Sequence, residues 1–230
     1  RSFSGRTGST LHVPMAAVDT YQETSNWHAF SSISGDLGST VGESFTYSSM
    51  TYQITSNNEV KLTQGRNAST ITIPEIVSYN NVSYTVTEIA ENAFSGYITR
   101  WLTIPSTVKS IGDRAFSSNT RLSQVTFNEG LQTIGTGAFE NNYNLTNIRI
   151  PSSVTSIGEN AFQTDQEVQS EITCLATTPP TIKSTTFMGR TSAMLHVPCS
   201  AAGTYKEAAT GSGFSTISGD ILSVGDSFEL

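Results

Sequence analysis

The amino-acid sequence predicts a strand-rich, right-handed solenoid with coils of 22 or 23 residues and a β-hairpin that caps its N-terminal end. Three observations predict this class of fold. A block of nine residues recurs at the interval of one coil, short strand-like runs recur between the blocks at the same interval, and a repeat of 184 residues relates the two ends of the chain. A single coil cannot bury its own apolar side, so coils of this length must stack to form a core. The right hand follows from the preferred chirality of crossover connections.

The nine-residue block defines the coil. It runs first from Val86 to Phe94 and recurs three more times, and each copy has isoleucine at its fourth position and ends in Ala-Phe. Stacking of the coils therefore predicts one buried column of phenylalanines and a second column of isoleucines. The two columns are Phe94, Phe116, Phe139 and Phe162, and Ile89, Ile111, Ile134 and Ile157.

Strand-like runs separate the blocks. Residues 122–127 and 145–150 both read L-x-x-L-x-L, the leucine-rich-repeat pattern in which each coil contributes one strand to a common face. Side chains alternate along a strand, so the residues that flank the last two apolar positions point outward, and we expect them to bind ligand. These residues are Trp101, Thr103, Gln124, Thr126, Asn147 and Arg149.

Trp101 differs from its counterparts. Gln124 and Asn147 hold the same position in the next two coils, so the fold does not require an aromatic residue there. An exposed tryptophan near an arginine is typical of an interaction hot spot. The alternative is that Trp101 packs over the irregular turn at 94–100, and the sequence leaves both interpretations open.

The two ends of the chain are related to each other. Leu11–Pro14 matches Leu195–Pro198 and Ile33–Asp36 matches Ile217–Asp220, so we predict that each copy is a strand followed by a helix.

Residues 45–47 and 52–54 read as the strands of the capping hairpin. The predicted division is 1–42, the closing coil of a preceding array with a glycine-containing linker; 43–83, the hairpin cap and first coil; 84–191, the leucine-rich-repeat coils; and 192–230, a closing strand–helix coil and the start of a next array.

Composition argues against several classes of function. Charged residues make up 13% of the chain, the net charge is −7, and the basic residues are scattered, so nucleic acid is not an expected partner. No apolar run approaches the roughly 18 residues that cross a bilayer, so we expect no direct membrane insertion. We expect Cys174 and Cys199 to be reduced, because stacking of the strands puts their Cα atoms roughly 8 Å apart, beyond the reach of a disulfide.

No catalytic motif is present in the sequence. His12 and His196 are equivalent across the long repeat and are expected to be solvated strand residues, whereas His28 has a serine as its counterpart. The carboxylates are spread over separate coils, without the spacing of a calcium loop. We therefore expect no catalytic residue, no metal ion and no cofactor.

The run from Ile150 to Phe162, I-P-S-S-V-T-S-I-G-E-N-A-F, resembles the BspA-type leucine-rich repeat of bacterial surface proteins. The resemblance is close over residues 84–163 and looser beyond them. It implies a non-enzymatic binding scaffold that is extracellular or on the cell surface and adheres to an unknown protein or glycan. The alternatives are a structural spacer, with contact between consecutive arrays of a longer tandem protein, and, least favoured, a carbohydrate-active enzyme module.

Overall fold

The computed structural model describes residues 10–13, 23, 32–34, 40–190, 193–208, 214 and 216–221. These residues form many short strands and little helix. The helix α1 (Ala202–Ala208) follows a 3-10 turn at Cys199–Ala201. In chain order the strands are β1 (Thr10–His12), β2 (Ser32–Ser34), β3 (Ser44–Tyr47), β4 (Met50–Ile54), β5 (Glu59–Gln64), β6 (Thr70–Thr72), β7 (Ile76–Tyr79), β8 (Val82–Ile89), β9 (Trp101–Ile104), β10 (Ser110–Ile111), β11 (Gln124–Phe127), β12 (Thr133–Ile134), β13 (Asn147–Ile150), β14 (Ser156–Ile157), β15 (Glu171–Cys174), β16 (Met194–Pro198) and β17 (Thr216–Ile221).

The predicted hairpin cap is confirmed. β3 and β4 pair antiparallel around Ser48 and Ser49, which both have a positive φ, and β4 begins at Met50, two residues before the predicted strand. β4 also pairs antiparallel with β5, and β5 pairs in parallel with β8. The cap therefore ends in the first strand of the solenoid, and it covers the edge of a sheet that would otherwise present unpaired backbone groups.

Two sets of parallel strands form the walls of the solenoid. One set continues from β5 through β8, β10, β12 and β14. The other set consists of a three-stranded sheet, β6–β9–β11, and a four-stranded sheet, β13–β15–β16–β17. We call the outward side of this second set the strand face. The pairing advances by one coil at a time, as in Ile89 with Ile111 and Ile111 with Ile134, which confirms the predicted leucine-rich-repeat solenoid.

Both predicted core columns are present. The phenylalanine rings stack with nearly parallel planes, with centroids 4.8 Å apart for Phe94 and Phe116, 5.1 Å for Phe116 and Phe139, and 5.3 Å for Phe139 and Phe162. Phe187 extends the column by one more ring. All these rings are buried, and the four isoleucines form a second buried column.

Buried polar side chains stabilise the turns that follow the phenylalanines by donating hydrogen bonds to backbone carbonyls. The Nδ2 group of Asn119 donates to the carbonyls of Phe94 and Phe116, and that of Asn142 donates to the carbonyl of Phe116. In the last of these coils a single arginine replaces the asparagine. Arg190 is 1% exposed, and its guanidinium donates to the carbonyls of Phe162, Leu145 and Asn142 and to the hydroxyl of Ser170.

The two copies of the long repeat pair in the same register. Leu11 pairs with Ile33 in β1 and β2, and Leu195 pairs with Ile217 in β16 and β17. The predicted helix is observed as α1 in the second copy, whereas in the first copy only Glu23 of that segment is described, with helical backbone. The linker at 35–39 lies outside the described residues, so the predicted division of the chain stays a prediction. Both cysteines are free, with Cys174 buried and Cys199 exposed.

Candidate binding face

The six predicted ligand-binding residues lie on the strand face. Strand pairing divides these residues into two groups. Trp101 pairs with Gln124 and Thr103 with Thr126 in the three-stranded sheet, while Asn147 and Arg149 pair with residues of β15 in the four-stranded sheet. Five of the six side chains are exposed, and that of Thr103 is partly buried. Within each sheet this pairing aligns the outward side chains of successive coils.

Trp101 points away from the core. Its side chain is 43% exposed, and the guanidinium carbon of Arg100 lies 4.8 Å from the ring centroid. An arginine at this distance interacts with the face of the ring through a cation–π contact. The ring therefore has a fixed neighbour on the surface and an exposed fraction that a ligand can reach.

The strand face is split between β11 and β13. In β11, β15 and β16 the first N–H of the strand donates to a carbonyl one coil earlier: Gln124 to Arg100, Glu171 to Thr146 and Met194 to Ser170. The corresponding bond from Asn147 to Ser123 is absent, and no ladder joins β11 to β13 in the described chain. The split forms a groove of about 470 Å³ that is lined by Ser123, Gln124, Val125, Thr126, Phe127, Asn147 and Arg149.

The core residues of β11 differ from those of its neighbours. Val125 takes the place of Leu102 and Ile148, and it is 8% exposed whereas they are almost fully buried. Phe127 takes the place of Ile104, is only partly buried, and meets the ring of Phe139 edge-on at 5.4 Å. This order of a smaller residue followed by a larger one occurs in β11, the strand that does not pair with β13.

A histidine–aspartate pair lies further along the strand face. Nδ1 of His196 and Oδ2 of Asp220 are 2.7 Å apart, and the hydrogen bond to this histidine holds the pKa of Asp220 below its ordinary value. The prediction of a solvated histidine missed this partner, which is 24 residues away in sequence. The long repeat places His12 and Asp36 in corresponding positions, but Asp36 lies outside the described residues. Within the described part of the chain, no group of three potential metal ligands is found.

A second cavity lies inside the closing coil. It has a volume of about 320 Å³ and is mostly apolar, with Ile150, Cys174 and Leu195 in its wall. The hydroxyl of Tyr205 donates to the carbonyl of Ala176 at 2.9 Å and lies 3.0 Å from Sγ of Cys174. Burial raises the pKa of the Cys174 thiol, so this thiol is a packing group rather than a nucleophile.

The fold and the outward columns together define a leucine-rich-repeat protein, and comparison with known proteins identifies its kind. The model of the BspA-type leucine-rich-repeat region matches residues 39–169 and 87–202, with six copies. The chain belongs to this family. No helix of the described residues combines the length and the apolar character needed to cross a membrane.

Solved structures of similar proteins agree with this assignment. A leucine-rich-repeat protein from Bacteroides capillosus is 30% identical, with 53% of this chain and 92% of that chain covered and a TM-score of 0.50. The pneumococcal vaccine antigen PcpA is 20% identical, with 78% of this chain and 47% of that chain covered and a TM-score of 0.52, and it shows the shared fold. No curated protein matches the chain.

Proposed function

We propose that this protein is a non-enzymatic binding scaffold, secreted or held at the cell surface, that adheres to a protein or glycan through the strand face. The observation that carries the proposal is the exposed Trp101 beside Arg100 at the start of an ordered, otherwise polar surface. Parallel strands fix the backbone that carries these side chains, so little backbone entropy is lost when a ligand binds. The resemblance to repeats of bacterial surface proteins supports the location.

The strand face has the composition of a recognition surface. Its outward positions in β9, β11 and β13 carry tryptophan, arginine, amide and hydroxyl side chains and no carboxylate. Tryptophan and arginine are enriched among residues whose loss weakens an interface most, whereas short polar side chains supply adaptable hydrogen bonds around them. The face can therefore bind a partner without any covalent chemistry.

A screen of glycan and matrix-protein arrays tests this function. We expect the wild-type chain to bind at least one ligand and Trp101→Ala to lose that binding by about 10-fold or more, the usual effect of removing a hot spot. Ile76→Ala is the matched control, because Ile76 is exposed but lies on β7, outside the strand face. Equal binding by wild type and Trp101→Ala would contradict the role of the strand face.

A structural spacer is the second candidate, and the long repeat favours it. The strand pairing of β1 with β2 repeats in β16 with β17. A protein built from such repeats can set the distance between other parts of a surface molecule without binding a ligand itself. Absence of any array ligand, together with a stable, extended multi-repeat protein in small-angle X-ray scattering, would support the spacer over the adhesin.

A further inference from the structure

We propose that the groove between β11 and β13 binds a carboxylate-bearing sugar, with Arg149 holding the carboxylate. The inference rests on the proposed binding function of the strand face and adds a position and a ligand class. Four features of the groove support it: unused backbone groups, too little room for a peptide strand, neutral hydrogen-bonding side chains, and a local positive charge.

Backbone groups on both sides of the groove lack a ladder partner. Along a strand in a parallel sheet, the N–H and C=O groups of successive residues point alternately to the two neighbouring strands. Gln124 is directed to the preceding coil, and Thr146 and Ile150 accept bonds from the following coil. The groups that face the groove are therefore those of Val125 and Phe127 in β11 and of Asn147 and Arg149 in β13.

The groove is too narrow for another strand. Cα atoms of β11 and β13 approach within 8 Å of each other. An inserted strand would hold its two neighbours roughly 9.6 Å apart, twice the usual spacing of about 4.8 Å. A peptide therefore cannot join these edges as a strand, and a ligand in the groove must bind without extending the sheet.

The side chains around the groove suit a sugar. Ser123, Gln124, Thr126 and Asn147 offer hydroxyl and amide groups that both donate and accept hydrogen bonds, as the hydroxyls of a sugar do. Trp101 pairs with Gln124 and so stands one strand away from the groove. Its exposed ring provides an apolar surface next to these polar groups.

The side-chain charges around the groove favour binding of an acidic sugar over a neutral one. The whole chain has a net charge of −7, yet β9, β11 and β13 contain no aspartate or glutamate, and Arg100 and Arg121 lie just before β9 and β11. The carboxylate of Glu171 lies on the other side of β13, because Glu171 pairs with Asn147 from β15 and not from β11. Arg149 is exposed in the groove, and among the described residues it forms no ion pair. A guanidinium binds a carboxylate through two parallel hydrogen bonds, a geometry that lysine cannot supply.

Nuclear magnetic resonance can test both the position and the chemistry. The isotope-labelled chain is titrated with the methyl glycoside of N-acetylneuraminic acid, a carboxylate-bearing sugar. We expect saturable shifts of the backbone amides of Val125, Phe127, Asn147 and Arg149. Arg149→Gln should weaken the binding by about 10-fold, in line with the loss of a charge-assisted bidentate contact. The methyl ester of the same sugar, which lacks the negative charge, should bind the wild type as weakly as the acid binds the variant.

Controls separate this proposal from the broader one. Arg114→Gln removes an exposed arginine from the turn after β10 and should bind like the wild type. Equal affinity for the acid and its ester, or unchanged binding by Arg149→Gln, would overturn the carboxylate assignment. Shifts caused by a hexaglutamate peptide but not by the sugar would assign the groove to acidic proteins instead. If array ligands still depend on Trp101 while these four amides do not shift, the groove proposal fails and the binding function stands.

Discussion

The single side chain of Arg190 satisfies several backbone carbonyls near the C-terminal end of the phenylalanine column. Two earlier coils use a buried asparagine, Asn119 or Asn142, to satisfy carbonyls of the turn, whereas Arg190 donates to three carbonyls and one hydroxyl that are 20 to 48 residues away in sequence. Burial lowers the pKa of Arg190 to about 10, so the guanidinium stays charged at neutral pH. Each of the three guanidinium nitrogens has an acceptor. Hydrogen bonding of this kind is the condition under which a buried charge is tolerated.

Glu129 is a residue whose protonation should change stability. Burial alone would raise its pKa, but hydrogen bonds from the N–H and hydroxyl of Ser152 and from the N–H of Ser153 outweigh burial and lower the pKa below the ordinary 4.5. A carboxyl with a lowered folded-state pKa stabilises the fold above its unfolded pKa, and this stabilisation is lost as pH falls through the folded value.

We therefore expect Glu129→Gln to lower the free energy of unfolding by up to about 1 kcal/mol at pH 7, because the site is largely exposed. The difference from wild type should disappear when the pH falls below the folded-state pKa of Glu129. Denaturant titrations at several pH values measure this. Glu159→Gln, on the next coil, is the control and should change stability little; a Glu129→Gln deficit that persists at pH 2 would contradict the prediction.

The phenylalanine column gives a second prediction. Phe139 is fully buried between Phe116 and Phe162. Phe139→Ala should reduce the free energy of unfolding by about 3 to 5 kcal/mol, the usual range for a buried phenylalanine that leaves a cavity. Ile98→Ala, at an exposed apolar side chain, should stay within about 0.5 kcal/mol of wild type. If urea denaturation showed similar losses for the two substitutions, the stacked rings would not contribute to stability as proposed.

At the scale of the element, glycine sets how closely two coils approach. A Cβ at Gly135 would lie 2.7 Å from backbone atoms of Gly112 and Asp113, and one at Gly158 would lie 2.6 Å from backbone atoms of Gly135 and Thr136. The first copy of the block has Ala90 at this position. The sequence therefore uses alanine where the series of regular blocks begins and glycine where one block lies directly on another.

Alanine should have opposite effects on stability at two glycine positions, one between coils and one in α1. Gly135→Ala must separate two coils, and we expect it to destabilise the protein by about 1 to 3 kcal/mol, the range for overpacking a filled site. Gly203→Ala, in α1, meets no atom within 4 Å and should stabilise by about 0.5 to 1 kcal/mol because alanine favours the helix. Thermal unfolding of the two variants gives the signs, and a stabilised Gly135→Ala would disprove the close approach.

The split in the strand face predicts a local difference in hydrogen exchange. Gln124 and Glu171 donate their first strand N–H to the preceding coil, whereas Asn147 has lost that bond. We expect the amide of Asn147 to exchange faster than the amides of Gln124 and Glu171 under native conditions, because its N–H faces the open groove. Equal protection of the three amides would mean that β11 and β13 pair in solution.

The sequence predicted the parts of the molecule that repeat. Phe116 and Ile111 recur with the period of the coil, so their burial follows from stacking alone, and the alternation in L-x-x-L-x-L identifies Gln124 and Thr126 as outward residues. The split, Arg190 and the pair of His196 with Asp220 were not predicted. Each depends on how neighbouring coils fit together, and the sequence signals, such as Val125 beside Phe127, are too weak to indicate the outcome in advance.

At the scale of the whole molecule, the first copy of the long repeat, which contains β1 and β2, precedes the hairpin cap in sequence. The last residue of the predicted linker is attached to the cap, because Gly42 donates to the carbonyl of Ile54 and accepts a bond from the side chain of Gln53. Val13 of the first copy is 3% exposed. We expect this copy to pack at the start of the following array, although the glycines in the linker favour a loose connection.

Matched substitutions one long repeat apart can decide between a packed and a loose junction. Val197 is fully buried in the main core, and Val13 is its counterpart 184 residues earlier. Val197→Asp should lower the melting temperature strongly, because it buries an unpaired carboxylate. If the first copy shares one cooperative unit with the array, Val13→Asp should lower the same transition, and hydrogen exchange should then increase in β3 and β4 as well as in β1 and β2. A loose junction predicts instead that Val13→Asp leaves the main transition unchanged and increases exchange only in β1 and β2. The packed junction is our expectation. Leu195 and Val197 are buried in the second copy, and the sequence places Leu11 and Val13 at the corresponding positions of the first. Burying these apolar residues against the cap would remove them from water.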